Sequence, residues 1–148
     1  MKFYLVIAAT LLVGVNGFAQ EKVTVNYSGD DLHYLGYILL TGDTSAWANV
    51  KNNDVYYLSR GFYFRKVAEL AYIKNDDLFF FGSALVGAKK SELDKIVNDD
   101  LYYLGTAMFE KTTSHLDNVK SDDLFYLGKG LLEKDMNYFD QMSTESKE

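Results

Sequence analysis

The sequence predicts an all-α fold, a short right-handed α-solenoid of five tandem 23-residue units, each a helix, a turn and a shorter helix. Three observations carry this expectation. The motif DDLHYLG at Asp30 returns as NDVYYLS at Asn53, DDLFFFG at Asp76, DDLYYLG at Asp99 and DDLFYLG at Asp122, each step being 23 residues without insertion. A fixed period of that size marks a stacked repeat architecture. Within each unit the apolar residues fall at helical spacing. The chain also contains no proline, the strongest helix breaker.

Position one of the unit is taken as the second residue of the motif: Asp31, Asp54, Asp77, Asp100 and Asp123. Positions two, five and nine are apolar, for example Leu101, Leu104 and Met108, and share one helical face. The residues before position one are often Asn or Ser followed by Asp, as at Asn75, Asn98 and Ser121. They supply an N-cap and acids for the positive end of the helix dipole. A helix of about three turns follows. Position fifteen is Ser45, Ala68, Ser91, Ser114 and Asn137, and position eighteen is Asp94, Asp117 and Asp140 in the last three units. Ser-x-x-Asp there reads as a capping box for a second helix. Positions seventeen and twenty, such as Leu93 and Ile96, give that helix one narrow apolar stripe. Position six is Gly36, Ser59, Gly82, Gly105 and Gly128. Glycine inside a helix costs roughly 1 kcal/mol against alanine. Its recurrence therefore points to close approach of neighbouring backbones.

Residues 1–19 read as a signal peptide, with Lys2, a short apolar run, and Gly17 and Ala19 as the small residues before a cut. Residues 20–29 are expected as a lead-in, 30–142 as the five-unit array and 143–148 as a polar tail. The apolar run is too short for an ordinary membrane span, so no span is expected in the mature chain. The expected compartment is the periplasm or the extracellular medium. The sequence has no cysteine, so stability there must come from packing. The formal net charge is −6, which becomes −7 when Lys2 leaves with the leader. An acidic chain is a poor match for nucleic acid.

At the level of stacked helical pairs over residues 30–142, the arrangement resembles short α-solenoids such as the tetratricopeptide, Sel1-like and leucine-rich-variant repeats. The 23-residue period is shorter than in the first two, and their signature residues are missing. The likeness concerns architecture and carries no function.

Three features are candidates for function. Position four is an aromatic column: Tyr34, Tyr57, Phe80, Tyr103 and Tyr126. It lies about 160° from the centre of the apolar face at 100° per residue. An exposed column would bind peptides or stack on sugars. A buried one would pack over the small residues at position eight, and that reading is favoured. The acids opening each long helix form a second candidate. A catalytic pair should occur once rather than in every unit, and the calcium-loop pattern is absent, so helix capping explains them better. The third is unit two, where the pattern slips. It holds both arginines, Arg60 and Arg65, with Lys66 beside them, and Ala68 replaces the serine at position fifteen. Its helices are expected to be fused or its turn reshaped. Arginine suits carboxylate recognition, although surface arginines are commonly paired within their own protein.

His33 and His115 fall at different positions of different units, so no zinc site is indicated. No nucleophile elbow, phosphate loop or dinucleotide fingerprint is present, and no cofactor is expected. The expectation is an exported, non-catalytic binding module for a protein or peptide. Two alternatives stand beside it: a secreted inhibitor or immunity-type protein, and a self-assembling structural protein. The sequence does not set an oligomeric state.

Overall fold

A computed structural model of the chain describes residues 27–143. The expected leader, most of the lead-in and residues 144–148 lie outside the described residues. The long helices are α1 (Gly29–Thr41), α2 (Asn53–Phe64), α3 (Asp76–Val86), α4 (Asp99–Glu110) and α5 (Asp122–Glu133). Each is followed by a short 3-10 helix: Thr44–Asn49, Val67–Tyr72, Lys90–Lys95, Thr113–Asn118 and Met136–Gln141. No strand occurs among the described residues. The chain is thus five repeated helical units that pack against one another.

The long helices start where the sequence places caps. Ser28, Asn52, Asn75, Asn98 and Ser121 each accept a backbone N–H of the first turn with the side chain. They end at position twelve, where Gly42, Arg65, Ala88, Lys111 and Lys134 all have positive φ, between 52° and 75°. From unit two onward the following N–H reaches back five residues, as from Thr112 to the Ala107 carbonyl at 3.0 Å. That is a Schellman-type ending, and it reverses the chain sharply enough for the short helix to fold back. Unit two has this same ending at Arg65 and the same short helix after it. The expected fusion or reshaping is not found, because the turn depends on the backbone at position twelve and not on the residue at fifteen.

The short helices also differ from expectation in their caps. Their N-cap is position thirteen: in units one, four and five Asp43, Thr112 and Asp135 accept from the N–H of position fifteen, whereas Lys66 and Lys89 make no side-chain cap bond. The serines at fifteen are therefore not the caps. The apolar i, i+3 pair suits a helix of three residues per turn, in which i and i+3 eclipse. The N–H of position twenty bonds the carbonyl of position seventeen, as from Ile73 to Leu70 at 3.0 Å.

Each long helix packs on the long helix before it and the one after it, and the row does not stay open. Helix α1 packs on α5, and on the short helix Met136–Gln141, in the way α3, α4 and α5 pack on the unit before them. The five units form a closed ring. Leu32, Val55, Leu78, Leu101 and Leu124 at position two and Leu35, Leu58, Phe81, Leu104 and Leu127 at position five are all buried in one continuous core.

The glycines at position six explain the junctions. A Cβ on Gly105 would meet the Leu93 and Phe81 side chains of the preceding unit at 2.7 and 3.2 Å, and one on Gly128 would meet Leu104 and Leu116 at 2.7 Å. What approaches the helix is thus a pair of side chains, not a neighbouring backbone as expected. At Gly36 the same place is taken by Phe139 of unit five, whose ring lies 2.6 Å from the added Cβ. Closure therefore uses the contact found at Gly82, Gly105 and Gly128, a position-seventeen side chain over the glycine. His33 adds to the seam by donating from Nδ1 to the Phe139 carbonyl at 3.1 Å.

The aspartate at position one has a task that capping does not describe. Each carboxylate accepts backbone N–H groups from the segment leading into the next unit. Asp54 takes Lys74 and Asn75 at 2.9 and 3.0 Å, and Asp77 takes Val97 and Asn98 at 2.8 and 3.0 Å. Asp100 takes Lys120 and Ser121 at 2.8 and 3.2 Å. Asp31 takes Lys51 and Asn52 at 2.7 and 3.2 Å while also completing a capping box with Ser28. In unit five Asp123 accepts from the N–H and hydroxyl of Ser143 at 2.7 and 2.6 Å, so Ser143 is built into the last unit. These are charge-assisted bonds, the stronger kind.

Tyr27 is half-buried against the core. Burial, followed by the carboxylates of Asp100, Asp123 and Asp77, pushes its hydroxyl well above the usual tyrosine range. Those three acids belong to units four, five and three, so a residue just before α1 faces carboxylates carried by the far units.

Candidate interaction surface

The aromatic column is neither exposed nor core. Tyr34, Tyr57, Phe80, Tyr103 and Tyr126 are all half-buried. Each is contacted within its own unit. Tyr57 stacks on Tyr72 with centroids 4.8 Å apart, and the Lys95 ammonium sits 5.2 Å over Phe80. Tyr34, Tyr103 and Tyr126 meet the position-three rings His33, Tyr102 and Phe125 edge-on at 5.4–5.5 Å. Among the described residues no ring of the column touches another of the column.

Unit two and its junction with unit one carry the feature that breaks the pseudo-symmetry. At position six Ser59 replaces glycine, and at position seventeen of unit one Trp47 replaces the usual leucine or phenylalanine. The indole N–H of Trp47 donates to Ser59 Oγ at 2.8 Å, and the Ser59 hydroxyl donates to the Tyr56 carbonyl at 2.7 Å. Elsewhere position seventeen is buried, whereas Trp47 is only half-buried. Tyr63 and Phe64 pack on it, with centroids at 5.4 and 5.8 Å, and Tyr56 at 6.2 Å.

Arg60 ties this aromatic group together. Its guanidinium lies 5.5 Å from the Trp47 ring, 5.7 Å from Tyr56 and 5.2 Å from Phe64. Its Nε donates to Glu69 at 2.8 Å and Nη2 to the other oxygen at 3.4 Å. The hydrogen bond from Arg60 holds the Glu69 carboxyl below the usual carboxylate range. Arg60 is thus engaged inside its own unit. Arg65 stands at the left-handed turn and is exposed, as is Lys66.

Residues 63–68 form the longest unbroken exposed run among the described residues. Of the five exposed large hydrophobics there, Tyr63, Phe64, Val67 and Tyr72 all lie in unit two, and only Val97 lies elsewhere. Sequence reading marked Arg60 and Arg65 but missed Trp47, Tyr63 and Phe64. The available signal was a double departure, serine at position six and tryptophan at the preceding position seventeen.

No group of three His, Cys, Asp or Glu residues among the described residues is placed to hold a metal ion. No described helix is long and apolar enough to cross a membrane. No protein-family model, curated protein or solved structure matches this chain.

Proposed function

We propose that this protein is an exported, non-catalytic binding module that takes a protein or peptide ligand on the face of unit two. The observation that carries the reading is the gathering of four exposed large hydrophobics in one unit of a ring whose other units expose almost none. Single exposed apolar residues are ordinary, whereas a contiguous group, here Tyr63 and Phe64 against Trp47, marks an interaction site. Aromatic and arginine side chains are also the residues enriched in interface hot spots. Ring closure speaks against end-to-end self-assembly, since the faces of the first and last units cover one another. An inhibitor of an enzyme remains a special case of the same reading, in which the ligand is the enzyme.

A displayed peptide library selected on the intact protein, with counter-selection on Phe64→Ala, tests this. The expected result is a set of peptides that bind the parent and lose binding on the variant while its melting temperature is kept. Failure to enrich any peptide, or enrichment of peptides indifferent to Phe64, overturns it.

A further inference from the structure

We infer that the ligand of the unit-two face is an acidic segment bearing an aromatic or long aliphatic anchor; this rests on the binding reading above and names the chemistry of the partner.

Two independent features converge there. The first is the apolar platform of Trp47, Tyr63 and Phe64, exposed or half-exposed, with Arg60 against Trp47 and Phe64 and held by Glu69. The second is charge. Unit two holds Arg60, Arg65, Lys66 and Lys74 against Asp54, Glu69 and Asp76, whereas each of the other units holds more acids than cations.

The cation at position twelve has an ordinary explanation in units four and five. Lys111 and Lys134 end their helices, where the dipole favours positive charge, and each directly follows a glutamate, Glu110 or Glu133. Unit two breaks that arrangement. Phe64 occupies the glutamate's place, Lys66 follows Arg65, and Glu69 is bonded to Arg60. Two exposed cations therefore follow Phe64 directly in the chain, and the acid that Lys66 acts on, Glu69, is already bonded to Arg60. On a protein whose formal charge is −6, this is where an acidic chain would meet the least repulsion. The platform seats the anchor side chain, and Arg65 and Lys66 face the flanking carboxylates.

Three synthetic peptides test the inference. They share a Trp-Leu anchor and differ in flanks of Asp/Glu, Ser/Gly or Lys/Arg, with fluorescence anisotropy on the intact protein as readout. The acidic peptide should bind tightest and weaken as salt rises. The double variant Arg65→Glu/Lys66→Glu should lose about tenfold for it and gain for the basic peptide. Arg65→Gly/Lys66→Ser, which suits the left-handed turn, should lose the acidic preference without reversing it, and serves if the glutamate variant fails to fold. Equal or tighter binding of the neutral or basic peptide overturns the inference. If peptides from the displayed library then still depend on Phe64, only the charge assignment falls. If no peptide binds at all, the underlying reading falls with it.

Discussion

At the residue scale, the aspartate at position one shows how one side chain can hold a repeat array together. Its two oxygens satisfy backbone N–H groups located 20 and 21 residues downstream, in the segment that opens the next unit. Replacing Asp100 with Ala leaves both donors without a protein partner. A loss of about 2 kcal/mol is expected by urea denaturation, since hydrogen bonds to charged groups contribute about 1.5–3 kcal/mol. This clamp was only partly legible in the sequence. Position one is Asp in all five units, while the residue before it admits Asn53. Simple capping would not demand that difference, but nothing in the local pattern names a target 20 residues away. Position twelve makes a second case. Ala88 has φ 52°, in the left-handed region that favours glycine. Ala88→Gly should raise stability by a few tenths to about 1 kcal/mol, as relief of left-handed strain outweighs the greater freedom of the unfolded chain. A third concerns pH. The folded-state pKa of Tyr27 is raised, so its contribution is full below the ordinary tyrosine pKa and is lost progressively as pH rises from there towards the higher folded-state value. Melting temperature should therefore fall on the alkaline side above about pH 10. Tyr27→Phe should flatten that limb and leave the neutral range alone.

At the scale of elements, the junction between a long helix and the preceding short one depends on volume matched across units. Glycine at position six receives leucine or phenylalanine from position seventeen, and the one serine receives a tryptophan whose N–H it accepts. Adding a methyl tests how rigid the visitor is. Gly105→Ala presses on the flexible end of Leu93 at 2.7 Å, whereas Gly36→Ala presses on three atoms of the stiff Phe139 ring at 2.6–2.9 Å. Overpacking costs about 1–3 kcal/mol, offset by about 1 kcal/mol of helix propensity. Thermal denaturation should show Gly36→Ala clearly destabilised and Gly105→Ala near neutral. A larger loss at Gly105 would contradict the account. The glycine period was plain in the sequence, but the identity of the approaching group was not. Side chains from another element carry no local signature at the glycine.

At the scale of the whole molecule, closure changes the expected thermodynamics. An open solenoid loses stability stepwise as terminal units are removed, because each unit contacts only its chain neighbours. Here unit five contacts unit four and unit one alike. Removing residues 122–143 exposes the Gly36 face as well as the end of unit four. The truncated chain should therefore lose its sharp melting transition, as followed by circular dichroism, instead of behaving as a four-unit array. A sharp transition at a modestly lower temperature would argue that the seam contributes little. Closure also bears on function. It covers the faces of the first and last units, so the departures in unit two become the distinctive surface.

Legible in the chain alone were the helical units, their period, the caps of the long helices and the apolar faces. All of these follow from interactions within a few residues along the chain, which spacing records directly. Only the tertiary structure decided that the first and last units meet and that position-one carboxylates bond the following segment. It also decided that Trp47, Ser59 and Arg60 assemble beside Tyr63 and Phe64. Closure depends on the small rotation each unit adds to the next, and five such rotations completing a circle is a property of packing geometry that no residue type encodes alone. The arginines of unit two were visible as a departure from the pattern. Their separation into one internal brace, Arg60, and one exposed cation, Arg65, came from which side of the helix end each side chain meets.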